Sequence, residues 1–446
     1  MNILIDPRKT FQTFSGFGAS GAWWAQAVGA LPVRDEISRL LYSKTDGIGL
    51  TSYRYNIGAG SKESGKGDIG NPLRRTECFE TAPGEYDFSR DANAVYMMRQ
   101  AVKDGAKEIT LFVNSPLERL TRSGAAHCDK RLPFLDNLPK KNYRAFAVYC
   151  LDVTEHFVNE GLPVRYLSPV NEPFWVWNGG QEGCHYHPHS AKRLLRVFAK
   201  EMDKRPALDK VKLAGLENGD IRWRNHAYTN ALLKDPQVRR RTDAVDLHSY
   251  FLPILPFAFF NDRPAFLRRF KKWMDRRYPG VPVRMSEWTH MQGGRDKGMA
   301  SALVMANVMW EDLTILNVCA WQHWIAVSEV DYCDGLIYIN LPEGSIEMTK
   351  RYSVTGNFSR YIPVGAVRVR AESDDPDVKP IAFTKDGETV LILINNADAE
   401  KTAVLASGAT RFIVTDKDRD LAEMPADGNS LLLPPESVCT VLFENK

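Results

Sequence analysis

The chain has 446 residues, more than one ordinary core holds, so one large barrel with a smaller second domain fits its length. It is 44% hydrophobic and 25% charged, and its net charge of +3 provides no strong field for polyanions such as nucleic acid. Seven cysteines at irregular spacing, with no CxxC, argue against a disulfide framework or a zinc site and for free thiols in a reducing compartment.

The N-terminus, Met1-Asn2-Ile3-Leu4-Ile5-Asp6, has no charged start followed by an apolar run. No signal peptide is visible, and a cytoplasmic location is expected unless the sequence is a trimmed secreted protein. From Phe14 to Ile362, strand-like and helix-like segments alternate. Strands are predicted over Phe14–Ser20, Gly49–Ile57, Glu108–Asn114, Val164–Val170, Val211–Leu216, Ala244–Ser249, Val281–Ser286 and Val318–Trp324. Helices are predicted over Asp91–Asp104, Lys141–Asn159, Ser190–Lys204, Asp262–Arg277 and Lys297–Leu316, two of them stopped by Gly105 and Gly161. Eightfold alternation places the chain in the α/β class, as a closed (β/α)8 TIM barrel over residues 14–362; an open doubly wound sheet is the alternative. No apolar segment is judged long enough to cross a membrane. After Ile362 the segments are short and β-rich, with turns such as Asp386-Gly387 and Asp427-Gly428. They predict a side-associated antiparallel β-sandwich made of residues 363–446 and of residues 1–13, whose Asn2–Ile5 stretch pairs into it.

The chemistry concentrates at the strand ends, where such barrels carry their functional groups. The fourth strand delivers Asn171 and Glu172 and is stopped by Pro173. The seventh ends in Glu287 and Trp288. Two carboxyls at two strand ends are the minimum apparatus for cleaving a glycosidic bond. Nearly every other strand mouth offers a group able to bind a sugar: Trp24, Arg54, Asn56, Asn114, His248, Tyr250, Trp321 and Trp324. Glu217 and Asn218 end the fifth strand, either to bind substrate or to cap a helix. His185, His187 and His189 beside Cys184 could be read as a metal cluster. Alternate spacing on a loop does not converge side chains as i, i+4 on a helix does, so no metal and no cofactor are expected.

These motifs resemble glycoside hydrolase family 30, within the clan A retaining enzymes. The likeness rests on Gly16-Phe17-Gly18-Ala19-Ser20, Arg54-Tyr55-Asn56-Ile57-Gly58, Asn114-Ser115-Pro116, Ser168 to Pro173, Ser286-Glu287-Trp288 and Phe358-Ser359-Arg360-Tyr361-Ile362. It spans essentially the whole chain. One departure is Leu117-Glu118-Arg119 after Pro116, where many members carry a tryptophan. The resemblance implies that Glu287 is the nucleophile and Glu172 the acid/base, with their carboxyls about 5–5.5 Å apart. Glu172 would start protonated and Glu287 ionised. It also implies that Arg54 favours a charged carboxylate nearby, that Asn171 binds the sugar 2-hydroxyl, and that Tyr250 holds Glu287.

The implied partner is an oligo- or polysaccharide, with no nucleic acid and no membrane; oligomeric state is not readable. Trp23-Trp24 and Asp334-Gly335-Leu336-Ile337-Tyr338 resemble members that act on β-1,6-linked galactan, so a β-galactoside is the expected substrate. The segment from Asp331 to Tyr338 is expected to be the loop after the eighth strand. Alternatives are β-glucosidase, β-xylosidase or β-fucosidase action, or a catalytically silent carbohydrate-binding protein on the same scaffold. An aldolase or isomerase would want a lysine or a metal at the strand ends.

Overall fold

Eight parallel strands close into a barrel in this computed structural model, which describes residues 1–132, 134–222, 225–251, 261–426 and 428–443. They are Gly16–Ser20, Ser52–Asn56, Glu108–Phe112, Val164–Ser168, Lys212–Leu213, Val245–His248, Val283–Trp288 and Ala320–Ser328. Each overlaps a predicted segment. The eighth returns to the first by pairing Ala320 with Gly16 and Trp321 with Phe17. The thinnest seam lies between the fifth and sixth strands, held by one bridge from Asn218 to Leu247. The fifth strand is short because Gly215 and Glu217 both take positive φ, 109° and 37°, which breaks an extended run.

Helices cover the outside, with local chemistry at their ends. Asp262 accepts from the Ala265 N–H at 2.9 Å to start Arg263–Arg277, and Pro264 lies in its first turn. Lys350–Ser359 was not predicted. All but its first residue are buried, so it carries no amphipathic period to detect. The membrane reading needs correction. Met299–Leu316 forms an 18-residue helix apolar enough by composition to span a bilayer. Here it is a core helix, wedged between Lys350–Ser359 and two sandwich strands, Glu388–Asn395 and Ser437–Phe443, so it is apolar on more than one side. The segment after the eighth strand also differs from expectation. Gly335–Asn340 is a further strand, parallel to the eighth and backed by Ser345–Met348, which leaves only residues 329–334 as loop.

A nine-stranded, curled sheet forms the second layer system, and Asn2–Thr13 sits inside it. This strand pairs antiparallel with Val367–Ser373 and parallel with Lys401–Leu405, so the chain's first residues join its last strands. The run Val390-Leu391-Ile392-Leu393-Ile394 is apolar throughout because both faces are covered. Leu391 and Leu393 face the sandwich core, while Val390, Ile392 and Ile394 pack toward the barrel. The predicted turn at Asp427 lies outside the described residues.

Candidate active site

Two glutamates hold unusual backbone. Glu172 has φ 44° and Glu217 φ 37°, left-handed values that cost a non-glycine residue about 1–3 kcal/mol each. The Glu172 N–H donates to the Glu217 carbonyl at 3.0 Å, which ties the fourth and fifth strand ends together. Both side chains then turn into the barrel mouth. Glu287 arrives there from the seventh strand, which stays extended and buried to its end.

His248, at the end of the sixth strand, joins all three acids. Its Nδ1 lies 2.8 Å from Glu172 Oε1 and 3.4 Å from Glu287 Oε1, and its Nε2 lies 3.0 Å from Glu217 Oε2. One ligand-type atom each from Glu172, His248 and Glu287 falls within 4.8 Å of the others. Arg54, fully buried on the second strand, completes the set. Its Nη1 donates to Glu287 at 2.7 Å, and its Nη2 donates to Asn171 at 2.9 Å and to Glu217. The face of Phe112 lies 3.5 Å from the guanidinium carbon. The Tyr250 hydroxyl donates to Glu287 Oε1 at 3.1 Å.

The electrostatics follow from this packing. Burial would push the His248 ring down, but the Glu287 charge and the bonds to Glu172 and Glu217 lift it to about 10, so it is a cation near neutral pH. Burial would raise Glu217, yet Arg54 and His248 hold it down at about 2. Burial also lifts Glu287, with His248 and Arg54 pulling against it. Two donors, Arg54 and Tyr250, aim at its oxygens and suit the carboxylate form.

A cleft of about 860 Å³ opens above this cluster. Among the described residues its walls include Asn171, Glu172, Glu287 and Tyr250 beside Trp324, Trp175, Trp177, Phe134, His185 and His187. Several expected sugar contacts lie elsewhere. Arg54 and His248 are fully buried beneath the carboxylates and touch them, leaving no surface for a sugar. Asn56 and Asn114 continue the same layer, as Asn171 donates to Asn114 at 3.0 Å and Asn114 to Asn56 at 3.2 Å. Trp321 is a core residue with no exposed surface, its indole donating to Asp312 at 3.1 Å. Trp24 is buried and donates to the Ser20 carbonyl at 2.8 Å, and Trp288 is buried in the same core cluster; neither lines the cleft. Of these four tryptophans, Trp324 alone reaches the cleft, propped edge-on by Trp23 at 5.1 Å.

Sequence reasoning passed over Glu217 as a partner of the pair; it neither caps a helix nor meets the cleft. Trp175 and Trp177, which the sequence offers either as sugar platforms or as core, do line the cleft, whereas Phe134 was missed. Trp175 and Trp177 follow directly on the Asn-Glu-Pro stretch, a position that itself signals the barrel mouth. They and Phe134 line the cleft of a chain that lacks the family's tryptophan after Pro116. Phe134 comes from a long irregular segment with no periodic signal.

Known proteins resemble the chain in both sequence and fold. A profile described as O-Glycosyl hydrolase family 30 matches residues 1–233 and 285–338, and one for the Glycosyl hydrolase family 30 beta sandwich domain matches residues 365–441. An endo-beta-1,6-galactanase of Hypocrea rufa is 28% identical over 230 residues, 46% of this chain and 47% of that protein. The match thus spans about half the length of that relative. The structure of a conserved exported protein from Bacteroides fragilis has a TM-score of 0.89 at 25% identity, covering 99% of this chain and 100% of the other. The catalytic domain of a xylanase C from Talaromyces cellulolyticus shares the fold, with a TM-score of 0.76 at 20% identity over 99% of this chain and 100% of that one.

Proposed function

Because the chain belongs to glycoside hydrolase family 30, we propose that it is a retaining β-glycosidase acting on β-linked galactosides, β-1,6-galactan or its oligosaccharides. One observation carries the mechanism. Oxygens of Glu172 and Glu287 come within 4.8 Å of each other around one histidine nitrogen. Inverting enzymes space their carboxyls about 6.5–9.5 Å apart to admit a water, whereas retaining enzymes hold them about 5–5.5 Å apart. The close spacing supports a double displacement.

Glu287 attacks the anomeric carbon and forms a glycosyl-enzyme. Glu172 gives its proton to the departing oxygen and then takes one from the incoming water. Charge balance supports this division. Three carboxyls face two cations, Arg54 and His248, so a single proton neutralises the set. Arg54 and Tyr250 donate to Glu287, which suits the nucleophile's carboxylate form. Asn171 lines the cleft, and its amide, anchored by Arg54 and Asn114, retains an N–H for the sugar 2-hydroxyl. Trp175, Trp177 and Trp324 offer stacking faces for sugar rings. The galactoside part is supported by the likeness to the Hypocrea galactanase.

The test is a panel of aryl β-glycosides and β-1,6-galacto-oligosaccharides, with product anomers followed by NMR. Galactosides are expected to turn over with retention, and a 2-deoxy-2-fluoro-galactoside is expected to label Glu287. Glu287→Gln should lose activity by roughly 10³-fold or more. Inversion, or a label on another residue, overturns the mechanism. Inactivity on every galactoside with activity on another glycoside overturns the substrate alone.

A further inference from the structure

We propose that Asp136, His185 and His187 form a site for one divalent transition-metal ion of the zinc type, set in the wall of the same cleft. This does not depend on the glycosidase reading, since ion binding is measured directly.

Position comes first. One ligand atom from each of the three residues lies within 4.8 Å of the others. A tetrahedral ion with ligand distances of about 2.1 Å spaces its ligand atoms roughly 3.4 Å apart, so the side chains need to draw in only slightly. Although they alternate along a loop, the two histidines converge. The two rings sit 5.0 Å apart with planes at 85°, while Tyr186 between them is buried in the barrel core. Asp136 is locked beside them. Its carboxylate accepts from the His187 N–H at 2.6 Å, and the neighbouring Asn137 N–H donates to the His185 carbonyl at 3.4 Å. A carboxylate has a second oxygen, and that one is left for a cation.

The second observation is an unsatisfied group. His185 is 3% exposed, yet neither ring nitrogen has a hydrogen-bond partner of good geometry. A buried polar group left that way costs about 1–3 kcal/mol. One nitrogen of this ring is among the three converging ligand atoms, so it is placed to serve a cation.

The cluster at Glu172, His248 and Glu287 meets the same distance test and makes a useful contrast. There both imidazole nitrogens face carboxylate oxygens and the ring is charged near neutrality, so it has no lone pair for a metal. Two imidazoles and one carboxylate, by comparison, are a zinc-type ligand set with room for a further ligand. His185 and His187 both line the cleft, so that open position faces it.

The test uses the full chain, tag-free and stripped of metal. Zinc is titrated by equilibrium dialysis with elemental analysis, and cobalt is substituted to read histidine coordination by visible absorption. One ion per chain is expected at micromolar free metal. His187→Ala and Asp136→Asn, both partly exposed, should each weaken binding by at least about tenfold. His185→Ala should do the same, with its fold checked by circular dichroism. The controls His189→Ala and Cys78→Ser should bind as the wild type does. The site is overturned if the wild type takes up no ion, if His187→Ala and Asp136→Asn bind undiminished, or if binding follows His189 or Cys78 instead.

Discussion

The barrel buries an arginine at each end, and the two are built alike. At the mouth, Arg54 binds Glu287 and Glu217 with the face of Phe112 3.5 Å away. At the base, Arg284 grips Asp246 with both Nε and Nη2, at 2.9 and 3.0 Å, and reaches Glu108 at 3.3 Å. The ring of Tyr166 lies 3.5 Å from its guanidinium carbon. Burial, acid partners and an aromatic face are therefore common to both. What differs is the space above. At the base Arg284 and Asp246 are both buried, and they meet in a bidentate pair with a bond from Arg284 to Thr110 at 3.2 Å. The mouth leaves Glu172 and Glu287 facing open cleft. A buried charge network is thus no sign of chemistry by itself; carboxylates that line a cavity are.

Replacing each arginine by methionine pulls the comparison apart most sharply. Arg54→Met removes the donors that hold Glu287 and Glu217 and should cut kcat by about 10³-fold, roughly 4 kcal/mol of barrel-mouth electrostatics. Arg284→Met leaves Asp246 buried and unpaired and should lower stability to urea by about 3–5 kcal/mol. Its folded fraction should keep kcat within about twofold. If Arg284→Met loses rate in its folded fraction, or Arg54→Met keeps it, the division between a structural base and a reactive mouth fails.

Glu217 sits where the two kinds of network meet, buried like the base yet bonded to the cations of the mouth. We expect Glu217→Gln to lower kcat by about 10²-fold with little change in KM, because it positions Arg54 and His248 and touches no substrate. A pH profile separates that role from general loosening. His248 has a folded pKa raised to about 10, so its stabilising contacts are complete below its ordinary value and fade as pH rises through about 10. Glu217 is the opposite case, held at about 2, with its contribution present above the ordinary carboxylate range and lost as pH falls toward 2. Losing the Glu217 charge removes one of the interactions that lift His248. The alkaline limb of activity should then move to lower pH. A purely structural loss would lower the profile without moving that limb.

How far the sequence foretold these features depends on how local each signal is. The eight strands were legible because buried parallel strands are short apolar runs between helical periods. Glu172 and Glu287 were legible because each directly ends such a run. Trp321 and Trp324 show where the reading fell short. They stand three apart on one strand, and a period of two puts them on opposite faces, so only one could join the cleft. Trp321 goes outward to Asp312 on the helix Met299–Leu316. Glu217 gave a weaker signal, since its left-handed backbone depends on contact with the fourth strand. Phe134 reaches the cleft through a long irregular segment, and nothing local encodes that approach.

Gly219 offers the smallest and most selective perturbation of the mouth. It lines the cleft just past Glu217, and a Cβ built on it would overlap the Trp175 indole nitrogen and the Glu172 carboxylate. Gly219→Ala should therefore displace the acid/base while leaving Glu287, Arg54 and the core untouched. The cleft gives the displaced groups somewhere to go, so stability should change by less than about 1 kcal/mol. A shift of about 1 Å in a catalytic group can cost as much as 10²-fold, and a loss of about 10-fold is expected here. That loss should depend on the leaving group. Substrates with poorly acidic leaving alcohols need the proton from Glu172 and should slow. A dinitrophenyl glycoside departs without it and should form the glycosyl-enzyme at the wild-type rate. Equal slowing of both would place the damage at Glu287 or in the fold, and would show that this glycine clears space for something other than the acid.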